Sequence, residues 1–203
     1  MAAEADASSG DRAAPTQLDA MLVTGTRASN RTQFETLAPV DVFSKEDIRS
    51  VQSTDLKDVL AQLVPSFVVQ RLPMADGQVF VRPATLRGLS PDQTLVLVNG
   101  RRFHRSALLG NRGAQAADLA QIPTSAIKRI EVLRDGAGAL YGSDAVAGVI
   151  NVILDNGGDG GEIEASYGAN HTDLKPIGRT LTDGQTGNIS AKVGTSLGED
   201  GGF

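Results

Sequence analysis

Cysteine is absent from the 203 residues, which excludes disulfides, thiolate metal sites and cysteine nucleophiles. Tryptophan is missing too, and aromatics make up only 4% of the chain. The two histidines, His104 and His171, lie far apart in sequence, which argues against a histidine-rich metal centre. A formal net charge of −5 argues against nucleic acid as a partner, since that ligand wants a basic face. No stretch approaches the roughly 18 to 20 consecutive apolar residues of a membrane helix. The opening "MAAEADASSGDRAAPTQLDA" has neither a basic n-region nor an apolar h-region, so it is not a signal peptide. Any export signal would have been removed or lie outside this chain.

What is present is a 40% apolar fraction, enough for a core, and 23 glycines, above the usual share of roughly 7%. Residues 1–17, acidic and rich in alanine and serine, read as a flexible arm. "LDAMLVTGTR" then gives a short β-prone run. Val40, Val42 and Phe43 suggest a brief strand, and "SKED" a helix start with Ser44 as N-cap. In "STDLKDVLAQLVP", Leu56, Val59, Leu60 and Leu63 fall on one helical face, with cap candidates Ser53 to Asp55 and a stop at Pro65. "SFVVQ" reads as a strand. "TLVLVNGRRF" predicts a hairpin about a type I′ turn at Asn99-Gly100. A short helix is expected around Thr124 to Lys128, running into a strand over Arg129 to Leu133. "AGVINVIL" reads as a further strand.

Beyond "DNGGDGG" the pattern changes to strict alternation. Ile163, Ala165, Tyr167 and Ala169 share one face of "GEIEASYGAN". Glu162, Glu164, Ser166 and Asn170 share the other. "GNISAKVGTSL" repeats this, with Ile189, Ala191, Val193, Thr195 and Leu197 opposite Asn188, Ser190, Lys192, Gly194 and Ser196. Such strands are the signature of an outer-membrane barrel wall, and a soluble two-faced hairpin has the same periodicity. Residues 171–186 read as a long connection, and "GEDGG" as a short one.

Two motifs suggest catalysis and fail on context. "GAGALYG" approximates a dinucleotide fingerprint, but β-branched "AGVINVIL" follows it, where a phosphate-cradling helix is required. "GTSLG" fits a nucleophile elbow, but no helix follows and both histidines precede it. "NGGDGGE" is a single copy of a calcium-repeat-like motif and reads as a flexible connection. "RRFHR" with Arg112 is a basic loop cluster: a solvated face, or a patch for an anionic ligand.

Three stretches together resemble the plug domain of TonB-dependent outer-membrane receptors. "LDAMLVTGTR" resembles the energy-coupling box and the valine-threonine-glycine that follows it, with Ala20 where the family usually has threonine. "LRGLSPDQTLVLVNGRR" resembles the arginine-glycine motif with its strand and hairpin. "IPTSAIKRIEVLRDGAGALYGSDAVAGVINVI" is similar to the family pattern along its length.

The resemblance implies an α/β (α+β) plug with a small mixed sheet and short helices, then the first two strands of a 22-stranded transmembrane β-barrel. The expected organisation is an arm over 1–17, a TonB-box region over 18–27, a plug over 28–155 and the start of a barrel over 161–203. Twenty-two strands of about nine residues each need far more chain than this, so an N-terminal piece of a longer receptor, or a truncated gene product, is expected.

The resemblance also implies roles. Leu18, Asp19, Ala20, Met21, Leu22 and Val23 would bind TonB, which an inner-membrane complex energises. Arg71, Gln78, Ser90, Asp92, Phe103, His104, Arg105 and Arg112 would lie on substrate-facing loops. Arg87 and Arg134 would lock the plug to barrel-wall glutamates beyond Phe203. Gly88, Gly136, Gly138, Gly142 and Gly148 would allow sharp backbone turns, and Tyr141 would pack or hydrogen-bond within the plug. No enzyme activity, metal or cofactor is implied. The expected partners are TonB, a siderophore-like or oligosaccharide ligand and, through the wall strands, lipid. The expected location is the Gram-negative outer membrane, with the plug facing the periplasm. A soluble periplasmic binding module with a plug-like fold and a nucleotide-using enzyme stay open as alternatives.

Overall fold

Ser44 closes the first strand and opens the first helix. Strand β1 (Val40–Ser44) passes directly into helix α1 (Lys45–Ser50). Ser44 Oγ accepts from the Asp47 amide at 3.2 Å and the Asp47 carboxylate accepts from the Ser44 amide at 2.8 Å, completing the expected capping box. These positions come from a computed structural model that describes residue 24 and residues 39–68, 80–81, 83–110, 113–134, 137–155, 160–175 and 178–195.

Helix α2 (Leu56–Leu63) starts at Asp55, whose Oδ1 accepts from the Lys57 amide at 3.0 Å. Leu56, Val59 and Leu60 are fully buried, as the periodicity requires. Burial of each such side chain stabilises the fold by about 1.5–3 kcal/mol. Val64 turns extended ahead of Pro65, where proline disfavours continued helix.

Strand β2 (Thr94–Val98) and the two-residue strand β3 (Arg101–Arg102) form the expected hairpin. Asn99 and Gly100 both take positive φ, 49° and 74°, as a type I′ turn demands. Strand β4 (Ile127–Leu133) follows a single 3₁₀ turn at Thr124–Ala126, which replaces the expected short helix. "SFVVQ" forms no strand among its described residues. Phe67 makes one isolated bridge to Leu86.

Helix α3 (Ala137–Tyr141) was not expected from sequence. Gly138 lies inside it, so it serves no sharp turn. After Gly142 comes a 3₁₀ turn at Ser143–Ala145 and then strand β5 (Gly148–Leu154), with no longer helix between.

These strands form one mixed sheet in the order β1-β4-β5-β2-β3, with β2 and β5 parallel and the other pairs antiparallel. Both faces are covered. Ile130, Val132, Ile150, Val152 and Val96 pack against α1 and α2, and Val40, Leu95, Leu97, Leu133 and Val149 form a second apolar cluster on the opposite face. Double burial explains why β2 and β5 read as nearly continuous apolar runs.

Strands β6 (Gly160–Leu174) and β7 (Arg179–Gly194) form a separate antiparallel hairpin. Residues 171–174 and 179–186, expected as parts of a long connection, are strand. His171 pairs with Thr182 and Asp173 with Thr180. Threonines suit a pleated ladder despite the polar composition. The second strand accordingly begins earlier than the expected residues 187–197.

Candidate functional site

Two of the expected substrate-facing loops meet at the end of the sheet where β2 and β5 begin. Ser90 precedes a 3₁₀ turn, Pro91–Gln93, that leads into β2. Arg105 Nη2 reaches across to the Asp92 carbonyl at 3.2 Å and to Asp144 Oδ2 at 3.4 Å. Arg102 donates to the Asp144 carboxylate and to the Tyr141 carbonyl. Phe103 packs on the main core and its ring lies 4.4 Å from that of His104. The basic loop is therefore tied to Asp144 rather than projecting freely. Arg71, Gln78 and Arg112 lie outside the described residues, as do Leu18 to Val23.

The two motif arginines are neighbours. Arg87, at φ 58°, donates from Nη2 to the Arg134 carbonyl. Arg134 Nη2 donates to Asp41 Oδ1 at 2.8 Å, while its Nε lies 2.7 Å from Asp41 Oδ2 without hydrogen-bond alignment. Arg134 thus has a carboxylate partner on β1 within the sheet domain. Gly88 follows at φ 68°. Gly148 is the position with the strictest demand for glycine: its φ is 141°, and a Cβ there would lie 2.7 Å from the Leu133 carbonyl and 2.8 Å from Leu86 Cδ1. Gly142 is also left-handed, at φ 99°. Tyr141 packs against the second apolar cluster. Gly136 lies outside the described residues.

The sequence reading missed an ion-pair network joining the sheet domain to the hairpin. Arg49 Nη2 contacts Glu162 Oε1 at 2.5 Å and Glu164 Oε2 at 3.1 Å. Lys45 Nζ lies 3.2 Å from Glu162 and 3.4 Å from Asp155. Lys192, opposite Glu162 in the hairpin register, reaches Asp155 at 2.6 Å. The hydrogen bond from Lys192, reinforced by Lys45, holds the Asp155 carboxyl below the usual carboxylate range, against a smaller opposing effect of burial. The signal was readable: Lys45 and Arg49 are one helical turn apart, and Glu162 and Glu164 alternate on one strand face. A polar cleft of about 400 Å³ opens beside this network, lined by Ser53, Thr124, Glu164, Tyr167 and Asn188 among others. None of the expected site residues lines it.

The hairpin's other face is apolar and open. Ile163, Tyr167, Ile189 and Val193 are 80%, 72%, 79% and 83% exposed, while Glu162, Glu164, Asn188, Ser190 and Lys192 are half-buried. The alternation read from the sequence is therefore present, with its polar side turned toward α1.

Comparison with known proteins agrees with this architecture. A model of the TonB-dependent receptor plug domain matches residues 32–149, more than half of the chain. Among solved structures, the siderophore receptor PirA of Acinetobacter baumannii is 26% identical, with a TM-score of 0.55, over 79% of this chain and 22% of its own. The ferric enterobactin receptor PfeA of Pseudomonas aeruginosa is 24% identical, with a TM-score of 0.55, over 80% of this chain and 23% of its own; at that identity the likeness concerns the fold. The chain thus spans under a quarter of the length of these receptors. A mixed sheet with few helices, the paired motif arginines and the glycine under Leu133 accompany that match, and the chain belongs to the plug-domain family of TonB-dependent receptors.

Proposed function

We propose that the chain supplies the plug and the first two wall strands of an outer-membrane receptor that imports a scarce nutrient by energy-coupled displacement of the plug. The observation that carries this reading is the two-faced hairpin. Its apolar side chains are exposed, and its polar side chains meet the sheet domain through ion pairs. That is the arrangement of a wall strand with lipid outside and a plugged lumen inside. An isolated two-stranded hairpin of this kind is marginal in water, and further strands closing a barrel would cover its edges.

In this reading substrate meets the loops around Ser90 to Gln93 and Phe103 to Arg112, together with Arg71 to Gln78. Relatives named as siderophore receptors make a ferric siderophore the leading substrate class, and the arginines of the basic loop suit an anionic ligand. Arg87 and Arg134 hold the plug in place and take barrel-wall carboxylates as further partners. Residues 18–23 form the coupling box. Their β-prone sequence suits addition to the edge of a TonB sheet. TonB, driven from the inner membrane, then pulls on the chain and displaces part of the plug. No covalent step is required.

The test is titration of a peptide spanning Leu18 to Gly25 into the periplasmic domain of TonB, with a known box peptide as positive control. Saturable binding is expected. A flat titration beside a working control would remove the box assignment.

A further inference from the structure

Glu131 and Asn151 are the fully buried polar residues of β4 and β5. The two stand directly opposite each other in the register. A carboxylate in such a place is costly unless donors surround it. Arg129 Nε donates to Glu131 Oε1 at 2.9 Å. Oε2 is served from far away in sequence. The Thr24 amide donates to it at 3.1 Å and the Thr24 hydroxyl at 2.5 Å, and Asn151 Nδ2 lies 3.5 Å away. Asn151 Nδ2 also donates to Thr24 Oγ1 at 2.8 Å, and Asn151 Oδ1 accepts from the Gly100 amide at 3.1 Å. Thr24 itself is fully buried.

We infer that Glu131 and Asn151 form a docking point for Thr24, anchoring the N-terminal segment to the two central strands of the sheet until it is pulled away. Three features favour an anchor over incidental contact. The acceptor is charged, so each donor bond is stronger than a neutral one. Thr24 uses both its backbone and its hydroxyl, which fixes orientation as well as position. The site is shielded from water, where hydrogen bonds are electrostatically stronger and cooperative within a network. Thr24 directly follows Val23, the last residue of the proposed box, so traction on residues 18–23 is delivered to β4 and β5 through this contact. Releasing Thr24 leaves a buried carboxylate with fewer donors, which couples detachment of the segment to loosening of the sheet.

This inference deepens the reading of residues 18–23 as the coupling box, and its test contains no TonB, so the two stand or fall separately. This chain has no cysteine, so Ala20→Cys in the complete receptor, with any cysteine beyond residue 203 replaced by serine, gives a reporter whose reaction with a maleimide reads exposure of the segment. In that background Thr24→Val is expected to raise the labelling rate by at least about tenfold, the effect of losing roughly one charge-assisted hydrogen bond. Thr24→Ser, which keeps the hydroxyl, is expected to stay within about twofold of the parent. Asn151→Leu is expected to follow Thr24→Val. Thermal unfolding of each variant separates release of the segment from loss of the fold. The anchor is overturned if Thr24→Val labels at the parent rate with the plug still folded. It is equally overturned if Thr24→Ser accelerates labelling as much as Thr24→Val does.

Discussion

Gly148 lies against the Leu133 carbonyl so closely that a methyl group at its Cα would stand 2.7 Å from that oxygen. The contact joins the start of β5 to the end of β4 and is closed from the other side by Leu86 Cδ1. Backbone and a fully buried leucine both bound the space, so neither yields easily.

Gly148→Ala is therefore expected to destabilise the plug by about 2–4 kcal/mol, combining overpacking with a left-handed φ that alanine resists. Urea unfolding of the parent and variant measures it. Gly138→Ala is the control: that glycine lies within α3, and apart from its chain neighbours and the helix's own backbone nothing comes within 4 Å of the place an added methyl group would take. The change there is expected to be neutral or slightly stabilising.

The contrast shows what the sequence could and could not convey. Leu56, Val59 and Leu60 announced α2 because one helical face repeats without interruption, and Asn99-Gly100 announced the hairpin because few other dipeptides fit two positive φ angles. Glycines at 138 and 148 look alike in the sequence, but only tertiary packing tells a helix interior from a close backbone crossing. Residues 171–186 read as a loop because their composition is polar and glycine-bearing, and cross-strand pairing such as His171 with Thr182 overrode it. The threonine of the valine-threonine-glycine stretch, Thr24, gave no local sign of where it docks, since its partners lie 107 and 127 residues away. Asn151, a lone polar residue in the apolar run of β5, was the visible part of that site.

Asp155 provides a pH test of the contact between plug and hairpin. Its native pKa is depressed, so the stabilisation is fully present above the unfolded-state value of about 3.9 and is lost as pH falls through the lower native value. Asp155→Asn is expected to be less stable than the parent at pH 7, with the gap closing below about pH 4. Urea midpoints at pH 7, 5 and 3 check this. A gap that widens on acidification would mean the carboxylate gains nothing from Lys192 and Lys45.

Charge placed on the open face of the hairpin tests its environment. Ile163→Arg and Ile189→Arg replace side chains that are 80% and 79% exposed, so a water-facing hairpin would tolerate them within about 0.5 kcal/mol. A lipid-facing wall would instead lose about 2–4 kcal/mol per residue near the bilayer midplane. Outer-membrane fractionation of the complete receptor is expected to show reduced assembly for both variants, and normal assembly for Ser190→Ala on the polar side.

The account rests most heavily on the claim that TonB takes hold of this chain just before Thr24. A photo-crosslinking residue placed at Met21 of the complete receptor, in cells that produce TonB, measures that contact where it would occur. The expected result is a covalent adduct with TonB from position 21 that is lost when Leu22 is changed to proline, which removes a backbone donor from an added strand. No adduct from position 21 or from any other position between 18 and 23, alongside a receptor of known box that does crosslink, would contradict it.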